Sequence, residues 1–273
     1  MTSETEHEPE SPVPGGEDDD QILSMKFGGK TIGENLEAAI AAGRVIRRAD
    51  GKLTLRPSRP AVGFSNDKPF GRDCRFLKHF LFEHVYGRAC VPIGCAACYK
   101  VKVEAQTMRQ LMAVKKLAEG FDCRAKSVPQ VDSPENQALY ASYFYLTGLD
   151  QAREVYKEVR AEVDADPALG PTVKVTIKRG CTNYEHACGP SDRYTFDPRL
   201  EDIEAHFRGR YLQPEPAPVP ARKYRDAATL LEIARTAYRI GDNTYKDFTG
   251  GKEVYPATVA YDPDGADEEN SSS

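Results

Sequence analysis

"YKVKVEA" at residues 99–105 alternates apolar or aromatic side chains with charged ones, and the rest of the chain can be read outward from it. A period of two is the pattern of a strand with one packed face and one wet face. The next segment changes period. "TMRQLMAVKKLAEG" (107–120) carries its apolar residues at helical spacing, and Gly120 marks its end. "CRAKSV" (123–128) reads as a second strand. "LYASYFYL" (139–146) reads as a third, because its Tyr-Phe-Tyr run suits a pleated surface better than the rival reading of 134–147 as a helix. "LDQAREVYKEVRAEV" (149–163) is a helix with Ala152, Val155, Tyr156, Val159 and Val163 on one side, and "TVKVTIK" (172–178) is a fourth strand.

The resulting order, β-α-β-β-α-β, predicts an α+β fold: a ferredoxin-like split β-α-β core with an antiparallel sheet in the spatial order 4-1-3-2. Extensions flank it. On the N-terminal side, "ENLEAAIAAGRVIR" (34–47) has helical spacing with Leu36, Ile40 and Val45 as its apolar side. "PSRPAVGFSNDKPFG" (57–71) is rich in turn residues and reads as a loop, and "CRFLKHFLFEHVYG" (74–87) as a mostly buried helix. On the C-terminal side, the stiff linker "PEPAPVPA" (214–221) leads to a helix from Asp226 to Gly241. The predicted organisation is an acidic disordered tail (1–24), a helical region (25–98), the core (99–213), the Pro-rich linker (214–222), a helical extension (223–260) and a second acidic tail (261–273).

The 37 basic and 42 acidic residues give a net charge of −5 that conceals a segregation. Eight acidic groups fall in residues 1–20 and five more in 261–273, with no Lys or Arg among them; setting those 13 aside turns −5 into +8 for residues 21–260. A basic folded part admits an anionic partner. No apolar run reaches membrane-spanning length, and the acidic N-terminus lacks the pattern of a signal peptide, so the expected location is the cytoplasm, away from membranes. Seven cysteines there favour metal binding or free thiols over disulfides.

Three of those cysteines fall within "ACVPIGCAAC" (89–98). In a 4-1-3-2 sheet the first strand lies antiparallel to the fourth, so the start of one meets the end of the other. That brings Cys181, in "KRGCTNYEHACG", to the same corner. The predicted metal ligands are therefore Cys90, Cys95, Cys98 and Cys181, with Cys188, Cys74 and His186 in reserve. Cys123 opens a strand two positions away and reads as an inert cysteine. His79 and His84, five apart, do not share a face of an α-helix and read as packed or surface side chains.

Four thiolates suit zinc or an iron–sulfur cluster. Cys90-x4-Cys95-x2-Cys98, with Gly94 before the second cysteine, resembles the spacing of plant-type ferredoxins over about ten residues. The resemblance implies an iron–sulfur cluster. Zinc ribbons use two close cysteine pairs and only Cys95/Cys98 is one, which also favours iron–sulfur over zinc.

The wet face of the sheet supplies a second candidate site. Alternation places Lys100, Lys102, Arg124, Lys126, Lys174 and Lys178 there, around Tyr143 and Tyr145. Lysines about an aromatic platform resemble the base-stacking surface of an RRM module, which implies binding of single-stranded nucleic acid. The leading expectation is a metal-binding protein, its metal chiefly structural, that binds nucleic acid or another anionic partner through this basic face. The alternative is a metal-dependent or redox enzyme, for instance one using Cys181 and His186 as nucleophile and base. No phosphate-binding loop supports another class: "FGGKTIGE" (27–34) has the wrong spacing, and H-E-x-x-H is missing.

Overall fold

The computed structural model describes residues 17–58, 61–132, 137–214 and 221–259. The chain begins with α1 (Glu17–Ser24), the hairpin of β1 (Lys26–Phe27) and β2 (Lys30–Thr31), and α2 (Ile32–Ala41). A capping box starts α2. Thr31 Oγ1 accepts from the Glu34 amide at 3.1 Å, and the Thr31 amide donates to Glu34 Oε2 at 2.7 Å. A second hairpin, β3 (Val45–Arg47) with β4 (Leu53–Leu55), is followed by the short β5 (Phe64–Ser65) and a π-helix, Arg75–Val85.

The central segment follows the alternation described above. It contains β6 (Cys98–Ala105), α3 (Met108–Leu117), β7 (Arg124–Pro129), β8 (Tyr140–Thr147), α4 (Leu149–Ala165) and β9 (Lys174–Arg179). The sheet is antiparallel throughout, in the order β5-β7-β8-β6-β9. The class is α+β. Then come α5 (Thr182–Cys188), α6 (Arg199–Arg210) and α7 (Arg222–Arg239).

Register fixes which residues share a face. Lys100 lies opposite Tyr145 on one side and Lys178 on the other, Lys102 opposite Tyr143 and Thr176, and Arg124 and Lys126 opposite Tyr145 and Tyr143. The odd neighbours Val101, Val103 and Val175 join Phe144 and Leu146 on the other face, buried against Val114 of α3 and Val159 and Val163 of α4. A second core holds α2, the π-helix and α6, with Phe76, Phe80, Phe82 and Phe207 among its buried side chains. A third joins α7 to α3 and β8 through Ile233, Ala237, Met108 and Tyr140.

Several expectations need correction. Residues 34–47 are not one helix: α2 stops at Ala41, and Val45 is buried as a strand residue. The 57–71 segment contains β5, an extra edge strand on β7. Region 25–98 carries two hairpins as well as helices. Residues 17–24 form α1 rather than a disordered tail, because Asp19 pairs with Arg210 and lies 3.6 Å from His206 Nε2. The last helix starts at Arg222, four residues before Asp226, which pairs with Arg222 at 3.6 Å. Residues 1–16, 215–220 and 260–273 lie outside the described residues, so the expectations for the tails and most of the linker do too. No helix among the described residues is long and apolar enough to cross a membrane.

Candidate metal centre

Cys95 closes a 3-10 turn, Ile93–Cys95, and Cys98 is the first residue of β6; both are buried. Gly94 lets the turn approach the neighbouring helices closely. A Cβ there would lie 2.7 Å from Leu77 Cδ2 and 3.0 Å from Glu204 Oε2. Its amide donates to Glu204 Oε2 at 3.2 Å, and its carbonyl accepts from Arg72. The end of β9 holds the same turn. Arg179 donates to Ala96 O from Nε at 3.0 Å and Nη2 at 2.9 Å, and the Gly180 amide donates to Cys98 O at 2.8 Å. These contacts deliver Cys181, at the N-cap of α5, to the turn.

The corner predicted from strand order therefore exists: Cys95, Cys98 and Cys181 lie within electrostatic reach of one another. The fourth thiol in reach is Cys74, at the start of the π-helix. Cys90 is the predicted ligand that the structure does not bring in. Its charged neighbours are Cys188, Glu204 and Asp197. Cys188 Sγ donates to Arg88 O at 3.6 Å. Cys123 lies apart, near Lys68, Asp122 and Glu158. His186 is exposed and makes no hydrogen bond or ion pair among the described residues, so the Cys181–His186 pair does not form. All seven cysteines are free thiols. Among the described residues no three Cys, His, Asp or Glu side chains stand in ligand geometry, so the four thiols are a convergence and not a closed cage.

Burial dominates the chemistry of Cys74, Cys90, Cys95 and Cys98. It pushes Cys98 up to about 11, against the pull of Lys100, and Cys90 up to about 12. Cys95 is also driven up by burial, although the Tyr184 hydroxyl, 3.4 Å from its sulfur, acts the other way. Tyr184 is itself buried, edge-on to Phe82 at 4.5 Å. In the midst of the thiols stands Lys100. Only 8% exposed, it donates to Cys181 Sγ at 3.3 Å and lies 5.2 Å from the Tyr145 ring centre. Burial works against its charge, while Cys181, Tyr145 and Cys98 act the other way, and the net direction is upward. It has no carboxylate partner among the described residues.

Register places all eight predicted nucleic-acid residues on one face, as the alternation required. That face is not open. Lys100 and Lys102 are each 8% exposed, Phe70 packs on Tyr145 with ring centres 5.2 Å apart, and Lys78 of the π-helix is close enough to act on Lys126. Lys178 pairs with Glu185, and Lys174 with Glu104 at 3.5 Å. The wet face of the predicted interface is thus covered at its centre by the N-terminal region. Arg124 and Lys174 stay exposed at its edges.

The sequence held Cys74 only in reserve and did not foresee the N-terminal cover over the lysines. A signal was available: helix 74–87 is too apolar to stand free, and α3 and α4 already occupy the other face of the sheet. Comparison of the chain with protein-family models, curated proteins and solved structures gives no match, so the reading of this site rests on its residues.

Proposed function

We propose that the chain is a metal-binding protein whose centre is held by Cys74, Cys95, Cys98 and Cys181. It would lie at the seam between a ferredoxin-like β-α-β-β-α-β core, extended by β5, and the N-terminal helices. The observation that carries the reading is the convergence of four thiols from three separate segments on a buried lysine that has no carboxylate partner. Four thiolates around zinc or an iron–sulfur cluster make an anionic centre. Such a centre supplies the charge that Lys100 otherwise lacks, and Arg72 and Arg124 act on the same thiols. Binding removes the thiol protons that burial retains on Cys74, Cys95 and Cys98, so metal affinity and folding are coupled. The metal's role is chiefly structural, tying the π-helix to the ends of β6 and β9. With Cys90 outside the ligand set the plant-type ferredoxin spacing no longer applies, and the four thiolates suit an iron–sulfur cluster or zinc alike.

The test is anaerobic purification of the full chain, its visible spectrum, and iron, sulfide and zinc per chain. Wild type is expected to carry metal, Cys74→Ser to lose it and Cys90→Ser to keep it. Metal-free wild type, or loss in Cys90→Ser with retention in Cys74→Ser, overturns the assignment. Visible absorption with iron and sulfide identifies a cluster; a colourless zinc protein identifies a structural clasp.

A further inference from the structure

The winding of the π-helix gathers cations on its other side. Its hydrogen bonds span five residues, so side chains five apart stand next to one another. His79 and His84, mismatched for an α-helix, consequently line one cavity of about 690 Å³. Arg75 of the same helix and Arg88 of the following turn line it too. Arg44 and Arg56, flanking the β3–β4 hairpin, complete the set, held side by side by the Arg56 amide donating to Arg44 O at 2.9 Å.

Many arginines elsewhere are paired with carboxylates, as Arg47 with Glu37 at 2.5 Å, Arg109 with Asp247 at 2.5 Å and Arg160 with Asp164 at 2.6 Å, while Arg124, Arg193 and Arg239 stand without one among the described residues but do not share a cavity. None of the four cavity arginines has a carboxylate partner among the described residues. Glu83, the acid lining the cavity, is engaged by His79 Nδ1 at 3.3 Å. Arg88 is also held at φ 67°, a conformation that non-glycine residues rarely adopt and that concentrates at binding sites. Unpaired guanidinium groups in one concavity repel one another and focus a positive field on whatever enters. Leu55, Pro57 and Pro214 add apolar surface to its lining.

We propose that this cavity binds an organic phosphate bearing two or more neighbouring negative charges. The phosphates lie among Arg44, Arg56, Arg75 and Arg88, and the carbon skeleton against Leu55, Pro57 and Pro214. Guanidinium groups match phosphate oxygens two at a time. The volume falls in the range of small-molecule sites, about 300–1,000 Å³. The site is separate from the thiols and holds whether or not they carry metal.

Isothermal titration of the full chain with ADP, inorganic pyrophosphate and adenosine tests it. ADP is expected to bind more tightly than pyrophosphate, and adenosine at least about tenfold more weakly than ADP. Arg44→Gln/Arg56→Gln is expected to weaken ADP by about tenfold or more. Both positions are exposed, and an unchanged melting temperature checks the fold. Arg47→Gln/Arg48→Gln removes the same charge outside the cavity and is expected to leave ADP binding within about twofold. Absent ADP binding, adenosine or pyrophosphate binding as tight as ADP, or an equal loss in the Arg47/Arg48 variant overturns the assignment.

Discussion

The two faces of the central sheet are both covered, but by opposite chemistry. On one, Val101, Val103, Phe144, Leu146 and Val175 meet α3 and α4 in a dry apolar layer. On the other, Lys100, Lys102 and Glu104 are nearly as hidden, beneath a region that contributes Phe70 and the start of the π-helix. The first face is held by area removed from water. The second must compensate charge. Lys102 reaches Glu104 at 2.9 Å, Glu104 reaches Lys174 at 3.5 Å, and Lys100 reaches a thiol. Strand alternation therefore decides which side a residue takes, while exposure depends on what the remainder of the chain lays over it.

The contrast breaks most severely on the apolar side. Phe144 is fully buried and meets Phe121 edge-on at 5.1 Å. Phe144→Ala is expected to cost about 3–5 kcal/mol in urea unfolding. Metal per folded chain should stay unchanged, because no thiol of the quartet packs in that layer. Loss of metal from chains that remain folded would show that the two faces are not independent.

The same contrast explains what was legible beforehand. From β6 to β9 the residues switch cleanly between periods of two and 3.6, so strands, helices and the corner joining Cys98 to Cys181 could be read. The π-helix could not. Phe76, Leu77, Phe80, Leu81, Phe82 and Val85 are apolar nearly all round, and a spacing of five matches no common template; His79 and His84 were consequently set apart. Two-residue β5 leaves no periodic trace, and its docking on β7 depends on Gly63, where a Cβ would lie 2.4 Å from Val128 Cγ1. The acidic run at 17–20 resembles a solvated tail until Arg210 and His206, almost two hundred residues on, are placed beside Asp19.

Lys100 sharpens the comparison on the polar side. Lys100→Met keeps the reach of the side chain and removes its charge. Exchange of a buried charge for an apolar group of similar volume is often neutral, so the metal-free variant should unfold within about 1 kcal/mol of wild type. The metal-loaded form should suffer more, since an anionic centre loses its ammonium neighbour. The measurement is the gap in melting temperature between metal-loaded and chelator-treated protein, expected to shrink in the variant. An undiminished gap would mean that Lys100 is compensated by something other than the thiols.

Glu104 gives the smallest effect and the clearest sign. Burial raises its pKa, but the hydrogen bond from Lys102 and the charges of Lys102 and Lys174 prevail, and the net direction is downward. A carboxylate lowered in the folded state stabilises at pH values above its unfolded pKa of about 4.3. That contribution drains away as pH falls through the folded value. Because the group is partly solvated, the contribution is at most about 1 kcal/mol. Glu104→Gln should therefore be less stable than wild type at neutral pH, with the difference closing as the solution is acidified below about pH 4. Unfolding curves that keep a constant separation over that range would place the stabilisation in packing around Glu104 and not in its charge. The polar face would then be held by burial after all, as the apolar one is.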